Sequence, residues 1–81
     1  MRIPRDITGS QLINALAKLG YSKTKQVGSH VKLTTIQRGL HHVTIPDHSP
    51  IKIGTLNSIL KDIAEHYGIS KEELIEKIFK I

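Results

Sequence analysis

The chain has 81 residues, a net charge of +5 with its histidines neutral, and no cysteine. That length supports one small domain over residues 1–81, and the lack of cysteine excludes disulfides, thiolate metal sites and cysteine nucleophiles. No run approaches membrane-spanning length and Met1-Arg2-Ile3-Pro4-Arg5-Asp6 lacks the apolar core of a secretory signal, so a cytoplasmic protein with no membrane partner is expected.

In chain order, Thr8-Gly9-Ser10-Gln11 opens as a capping box, a hydroxyl three residues before a glutamine. Leu12, Ile13, Leu16, Ala17 and Leu19 follow at helical spacing, and Gly20 stands where a helix end favours a left-handed residue. A first helix over residues 9–19 is expected. Residues 21–27 are polar and basic but extended in character, which suits an edge strand whose lysines discourage strand addition. Gly28-Ser29 then makes a two-residue hairpin loop, with glycine at the first central position of a type II′ turn. That turn delivers His30 to the first position of a second strand, in which Val31, Leu33 and Thr35 alternate with Lys32, Thr34 and Ile36.

Residues 40–45 form a third strand that Pro46 ends, because proline cannot donate to the ladder. A three-residue loop, Gln37-Arg38-Gly39, sets Leu33 opposite Val43 and Val31 opposite Ile45. We prefer it to a two-residue Arg38-Gly39 loop, which would oppose apolar to polar residues. One face of the sheet is then apolar, and the other carries His30, Lys32, Thr34, His42 and Thr44, joined by Lys23, Lys25 and Val27. Residues 47–54 form a loop. A second helix over 55–67 carries the stripe Leu56, Ile59, Leu60, Ile63, Ala64 and Tyr67, and Gly68 closes it. Ser70 to Glu73 is another capping box, opening a short third helix with Leu74, Ile75, Ile78 and Phe79. The fold class expected is α+β, with the order α-β-β-β-α plus a short C-terminal helix and the helices on one face of a three-stranded antiparallel sheet.

The charge is unevenly placed. Up to Leu60, eight basic residues face only Asp6 and Asp47, whereas the remaining segment is close to neutral. The first three-quarters of the chain therefore favours an anionic partner, with nucleic acid first. The meander brings His30, His48, the start of the second helix at Gly54-Thr55 and the start of the first at Thr8-Gly9-Ser10 to one rim. Helix N-termini offer free N–H groups and partial positive charge to phosphate oxygens.

Histidine titrates nearest neutral pH, so a rigidly held rim histidine is a candidate acid or base. Its plainer alternative is a solvated surface residue. His41 and His42 point to opposite faces and cannot easily chelate one ion, while His30, His42 and His48 have no recognised ligand spacing. No metal and no small-molecule cofactor is therefore expected. His66 sits late in its helix, where a cation complements the dipole. Lys23, Lys25, Lys32, Arg38 and Lys52 are candidates for contact with a phosphate backbone.

Four stretches occur in order: Leu16-Ala17-Lys18-Leu19-Gly20-Tyr21, Gly28-Ser29-His30, Val43-Thr44-Ile45-Pro46-Asp47-His48 and Gly54-Thr55-Leu56-Asn57-Ser58-Ile59-Leu60. Together they resemble the HicA (YcfA-like) mRNA interferase toxins, over nearly the whole chain. The resemblance implies a fold like a double-stranded RNA-binding domain. It also implies a ribosome-independent endoribonuclease toxin that cleaves mRNA and is neutralised by a HicB-like antitoxin. The family's essential histidine falls on His30. Gly28, Ser29, Lys25, Lys32, His48, Gly54 and Thr55 are the expected RNA or phosphate contacts, with His48 or His42 as a second catalytic group. The competing reading is a non-catalytic RNA-binding module that uses the same basic face.

Overall fold

The computed structural model describes residues 6–47 and 50–79. Its elements run α1 (Gly9–Leu16), β1 (Ser22–Val27), β2 (His30–Thr35), β3 (His41–Pro46), α2 (Ile53–Tyr67) and α3 (Lys71–Phe79). The strands form an antiparallel sheet in the order β1-β2-β3, as expected of the α+β class. No described helix is long and apolar enough to cross a membrane.

The capping box at the start of α1 is present, with the Gln11 N–H donating to Thr8 Oγ1 and the Thr8 N–H donating to Gln11 Oε1. The helix ends earlier than its apolar spacing suggests. Residues Ala17–Leu19 tighten into a 3₁₀ turn, and the Gly20 and Tyr21 N–H groups fold back onto the Ala17 and Leu16 carbonyls. This paired closure satisfies carbonyls that the helix leaves free. The same closure ends α2, where Gly68 and Ile69 donate to Glu65 and Ala64. Ser70 and Glu73 exchange the expected capping bonds before α3.

Leu33 pairs with Val43 and Val31 with Ile45, the register that the apolar alternation requires. The Ile36 to Leu40 connection carries positive φ at Arg38 (56°) and Gly39 (100°), and the Gly39 N–H donates to the Ile36 carbonyl. Val31, Leu33, Val43 and Ile45 turn inward against Leu12, Leu16, Leu56 and Leu60, all buried. Leu74, Ile75 and Ile78 of α3 complete this core. Each such side chain contributes about 1.5–3 kcal/mol by leaving water.

Two expectations need correction. A bulge interrupts β1 between Lys23 and Lys25, so Lys23 pairs with core-facing Leu33 while Lys25 pairs with outward-facing Lys32. Lys23 therefore leaves the histidine-bearing face, and its ammonium donates to Gln26. A bulge reverses which face each residue before it occupies, and alternation within one exposed strand gives no sign of it. The second helix also starts at Ile53 rather than Thr55. The Ile51 N–H donates to the Ile7 carbonyl, and Ile51 is buried, which anchors the chain where the helix begins.

Candidate active site

The Gly28-Ser29 loop pairs Val27 directly with His30, and Gly28 has φ +58°. A left-handed first central residue followed by a right-handed one is the type II′ pattern. Ser29 is tied in turn to the end of β3, because the Asp47 N–H donates to its carbonyl at 2.6 Å. Asp47 lies over the start of α1. A Cβ added to Gly9 would fall 2.7 Å from the Pro46 carbonyl oxygen and 2.8 Å from Asp47 Cα. The β1–β2 turn, the exit of β3 and the starts of α1 and α2 thus gather at one end of the molecule.

At that end an open cleft of about 430 Å³ is lined by His30, Thr44, Pro46, Pro50, Lys52 and Thr55. His30 is exposed on one wall. The opposite wall is the first turn of α2, where Lys52 is the cap residue and makes no side-chain capping bond. Leu56 is the first residue to donate back into the helix, so the N–H groups of Ile53, Gly54 and Thr55 have no protein acceptor among the described residues. Free donors of this kind, with the partial charge of the helix terminus and the Lys52 ammonium, make an anion-attracting wall. The start of α1 differs, because its capping box already engages the Thr8 and Gln11 N–H groups.

A second groove of about 290 Å³ continues from the cleft onto the uncovered sheet face, lined by Lys25, Val27, His30, Lys32 and Thr44. His30 and Thr44 belong to both. Of the expected contacts, Thr55 lines the cleft, Lys25 and Lys32 line the groove, and Gly54 stands in the first turn of α2 without lining either. Gly28 and Ser29 line neither; they act on His30 through the turn. His48 lies outside the described residues. Arg38 is at the far end of the sheet with Gln37, Tyr67 and Lys77.

His42 is not a partner for His30. The register pairs His30 with Pro46 and Thr34 with His42, so the two histidines stand four residues apart along the strands. At ~3.4 Å per residue that separates them by about 14 Å along the strands, far beyond any shared proton. Among the described residues, no group of three or more His, Asp or Glu side chains is arranged to hold a metal ion.

The remaining histidines are occupied. Tyr21 Oη and His41 Nδ1 are 2.7 Å apart, and His41 Nε2 lies 3.4 Å from Asp62 Oδ1. Burial pushes the Tyr21 phenol well above its ordinary range, with Tyr67 and Asp62 adding to the effect. The phenol therefore keeps its proton and shares one hydrogen bond with His41 Nδ1, while Nε2 of the same ring faces Asp62. The His66 ring stacks on His41 at 4.3 Å, and its Nε2 meets the Gln37 carbonyl at 3.0 Å. This cluster braces the β2–β3 hairpin against α2.

Sequence reasoning did not assign Lys52, Pro46 or Pro50 to the site. Lys52 stood only among scattered cations, because a helix begun at Thr55 leaves it in a loop; a start at Ile53 makes it the cap residue. A family model described as HicA toxin of bacterial toxin-antitoxin matches residues 9–64, which include every residue lining the cleft. No curated protein and no solved structure matches the chain.

Proposed function

We infer the function from one premise: the chain belongs to the HicA toxin family. It is the toxin of a toxin–antitoxin pair, and its partner is an antitoxin. We propose further that it is a metal-independent endoribonuclease acting on mRNA, that His30 is its catalytic residue, and that the antitoxin is HicB-like.

The observation that carries this reading is the position of exposed His30 across an open cleft from the uncapped start of α2. A scissile phosphate seated there would accept hydrogen bonds from the Gly54 and Thr55 N–H groups, beside the Lys52 ammonium. These donors are fixed by the helix before substrate arrives, so they stabilise the charge that builds on the phosphate oxygens at little reorganisation cost. His30 either takes the proton of the adjacent ribose 2′-OH or returns one to the departing 5′-oxygen. In the first case, the 2′-oxygen attacks phosphorus, the bond to the 5′-oxygen breaks, that oxygen takes a proton from solvent water, and the products are a 2′,3′-cyclic phosphate and a 5′-hydroxyl. Gly28 and Ser29 hold His30 at the cleft by fixing its backbone, and Lys25 and Lys32 attract the flanking RNA.

Growth and RNA integrity after induction test the reading, with wild type beside His30→Ala. Wild type is expected to arrest growth and produce new RNA ends, in chelator as well as without it. His30→Ala is expected to do neither while keeping its far-UV circular dichroism. A folded His30→Ala protein that still cleaves overturns the assignment. RNA binding by the wild type without new 5′ ends makes the protein a non-catalytic RNA-binding module instead.

A further inference from the structure

The outward face of the sheet carries an ordered arrangement that cleavage at His30 does not by itself require. Its residues fall into three cross-strand rows, Val27–His30–Pro46, Lys25–Lys32–Thr44 and Ser22–Thr34–His42, and the bulged Thr24, which has no partner in the register, turns its hydroxyl onto Thr34 in the third. There, Thr24 Oγ1 lies 2.9 Å from Thr34 Oγ1, which lies 2.8 Å from His42 Nδ1. This chain fixes the His42 ring and leaves its Nε2 without a hydrogen-bond partner among the described residues, on an exposed side chain.

Charge on this face is all of one sign. No carboxylate stands in any of the three rows. Asp47 is turned to the start of α1, and the remaining described acidic residues apart from Asp6 lie on α2 and α3, the helices of the opposite face. The groove that begins at His30 runs from the first row onto the second. Rows two residues apart recur about every 7 Å, a spacing of the same order as successive phosphates of an extended strand.

We propose that this face is the track for the RNA strand leaving the cleft. The scissile phosphate sits by His30, the next lies over Lys25 and Lys32, and the one after meets His42 and Thr34. The inference rests on the chain being an RNA-cleaving toxin and adds a substrate class to it, single-stranded RNA reaching two nucleotides past the cut. A duplex is disfavoured, because the lysines of this face, Lys25 and Lys32, stand together in one row and do not form two separated lines for two backbones. Lys32 and His42 are then binding residues that act on affinity and not on the chemical step.

The test uses the full chain and fluorescein-labelled single-stranded RNA of mixed sequence, from two to twelve nucleotides, with His30→Ala protein for binding and otherwise wild-type protein for kinetics. Affinity is expected to rise with length until the third row is covered. Lys32→Ala is expected to weaken binding about tenfold and to lower the salt slope by about one. His42→Ala and Thr34→Val are expected to raise KM severalfold with kcat held, whereas His42→Gln, which keeps a donor, restores most of the affinity. Unchanged affinity and KM in folded Lys32→Ala and His42→Ala proteins overturn the track. If those variants instead lose only their antitoxin, the face is a protein-binding surface and the track is equally overturned. Failure of the cleavage reading is seen separately, as growth arrest by His30→Ala.

Discussion

Ser29 and Asp47 are joined by a 2.6 Å hydrogen bond from the Asp47 N–H to the Ser29 carbonyl, across the end of the sheet. The bond locks the turn that presents His30 to the segment that leads toward α2. The wall that carries His30 is thereby held through backbone and not through flexible side chains. Three predictions concern this end of the molecule, and a fourth the Tyr21–His41 contact at the other.

Gly9→Ala places a methyl group 2.7 Å from the Pro46 carbonyl oxygen and 2.8 Å from Asp47 Cα. Backbone on both sides must yield, so a loss of about 1–3 kcal/mol is expected in urea melts. Amide resonances of residues 28–30 should shift as well, because Asp47 holds Ser29. Gly54→Ala meets nothing within 4 Å and lies in a helix, so it is expected to be neutral or stabilising by up to about 1 kcal/mol. Equal losses in the two variants would contradict the close approach at Gly9.

Gly28→Ala tests the turn alone, since no atom lies within 4 Å of the added methyl. The cost is conformational, about 1–2 kcal/mol for holding φ at +58°. Gly28→Asn should cost less, because asparagine tolerates that region. Cleavage rate is expected to fall in the same order as stability, with His30 losing its fixed position.

Lys52→Ala removes the cation from the α2 wall of the cleft. Losing one preorganised donor at a developing anion lowers kcat by roughly 10- to 100-fold in a site this open. Lys52→Arg should recover part of the loss. A kcat unchanged in Lys52→Ala would remove this residue from the site.

Tyr21 makes stability fall at alkaline pH. Its phenol holds the proton more tightly when folded than when unfolded, because burial penalises the phenolate. The unfolded chain therefore releases that proton first as pH rises past the ordinary tyrosine value of about 10. The contribution is complete below that pH and is lost as pH climbs through the raised folded value. Tyr21→Phe is expected to melt lower near neutrality, by about 1 kcal/mol for the lost bond to His41, yet to lose less on going to about pH 11. A steeper alkaline loss in Tyr21→Phe than in wild type would contradict the buried phenol.

By itself the sequence determined the element order, the β2–β3 register and the identity of the presented histidine. Those are local properties: apolar spacing marks α1 and α2, alternation sets Leu33 against Val43, and only glycine takes the first central position of the turn before His30 without strain. Tertiary structure alone decided which cations share a surface. Lys23 left the outer face because β1 bulges against β2, a choice made between strands and not within one. Lys52 entered the cleft because Ile51, buried and bonded to Ile7, starts α2 two residues before Thr55. His42 and His30, both outward-facing, were held two rows apart by the register itself. A side chain's face depends on local periodicity, but its neighbours depend on where distant segments are pinned, and here those pins are backbone hydrogen bonds that no residue type announces.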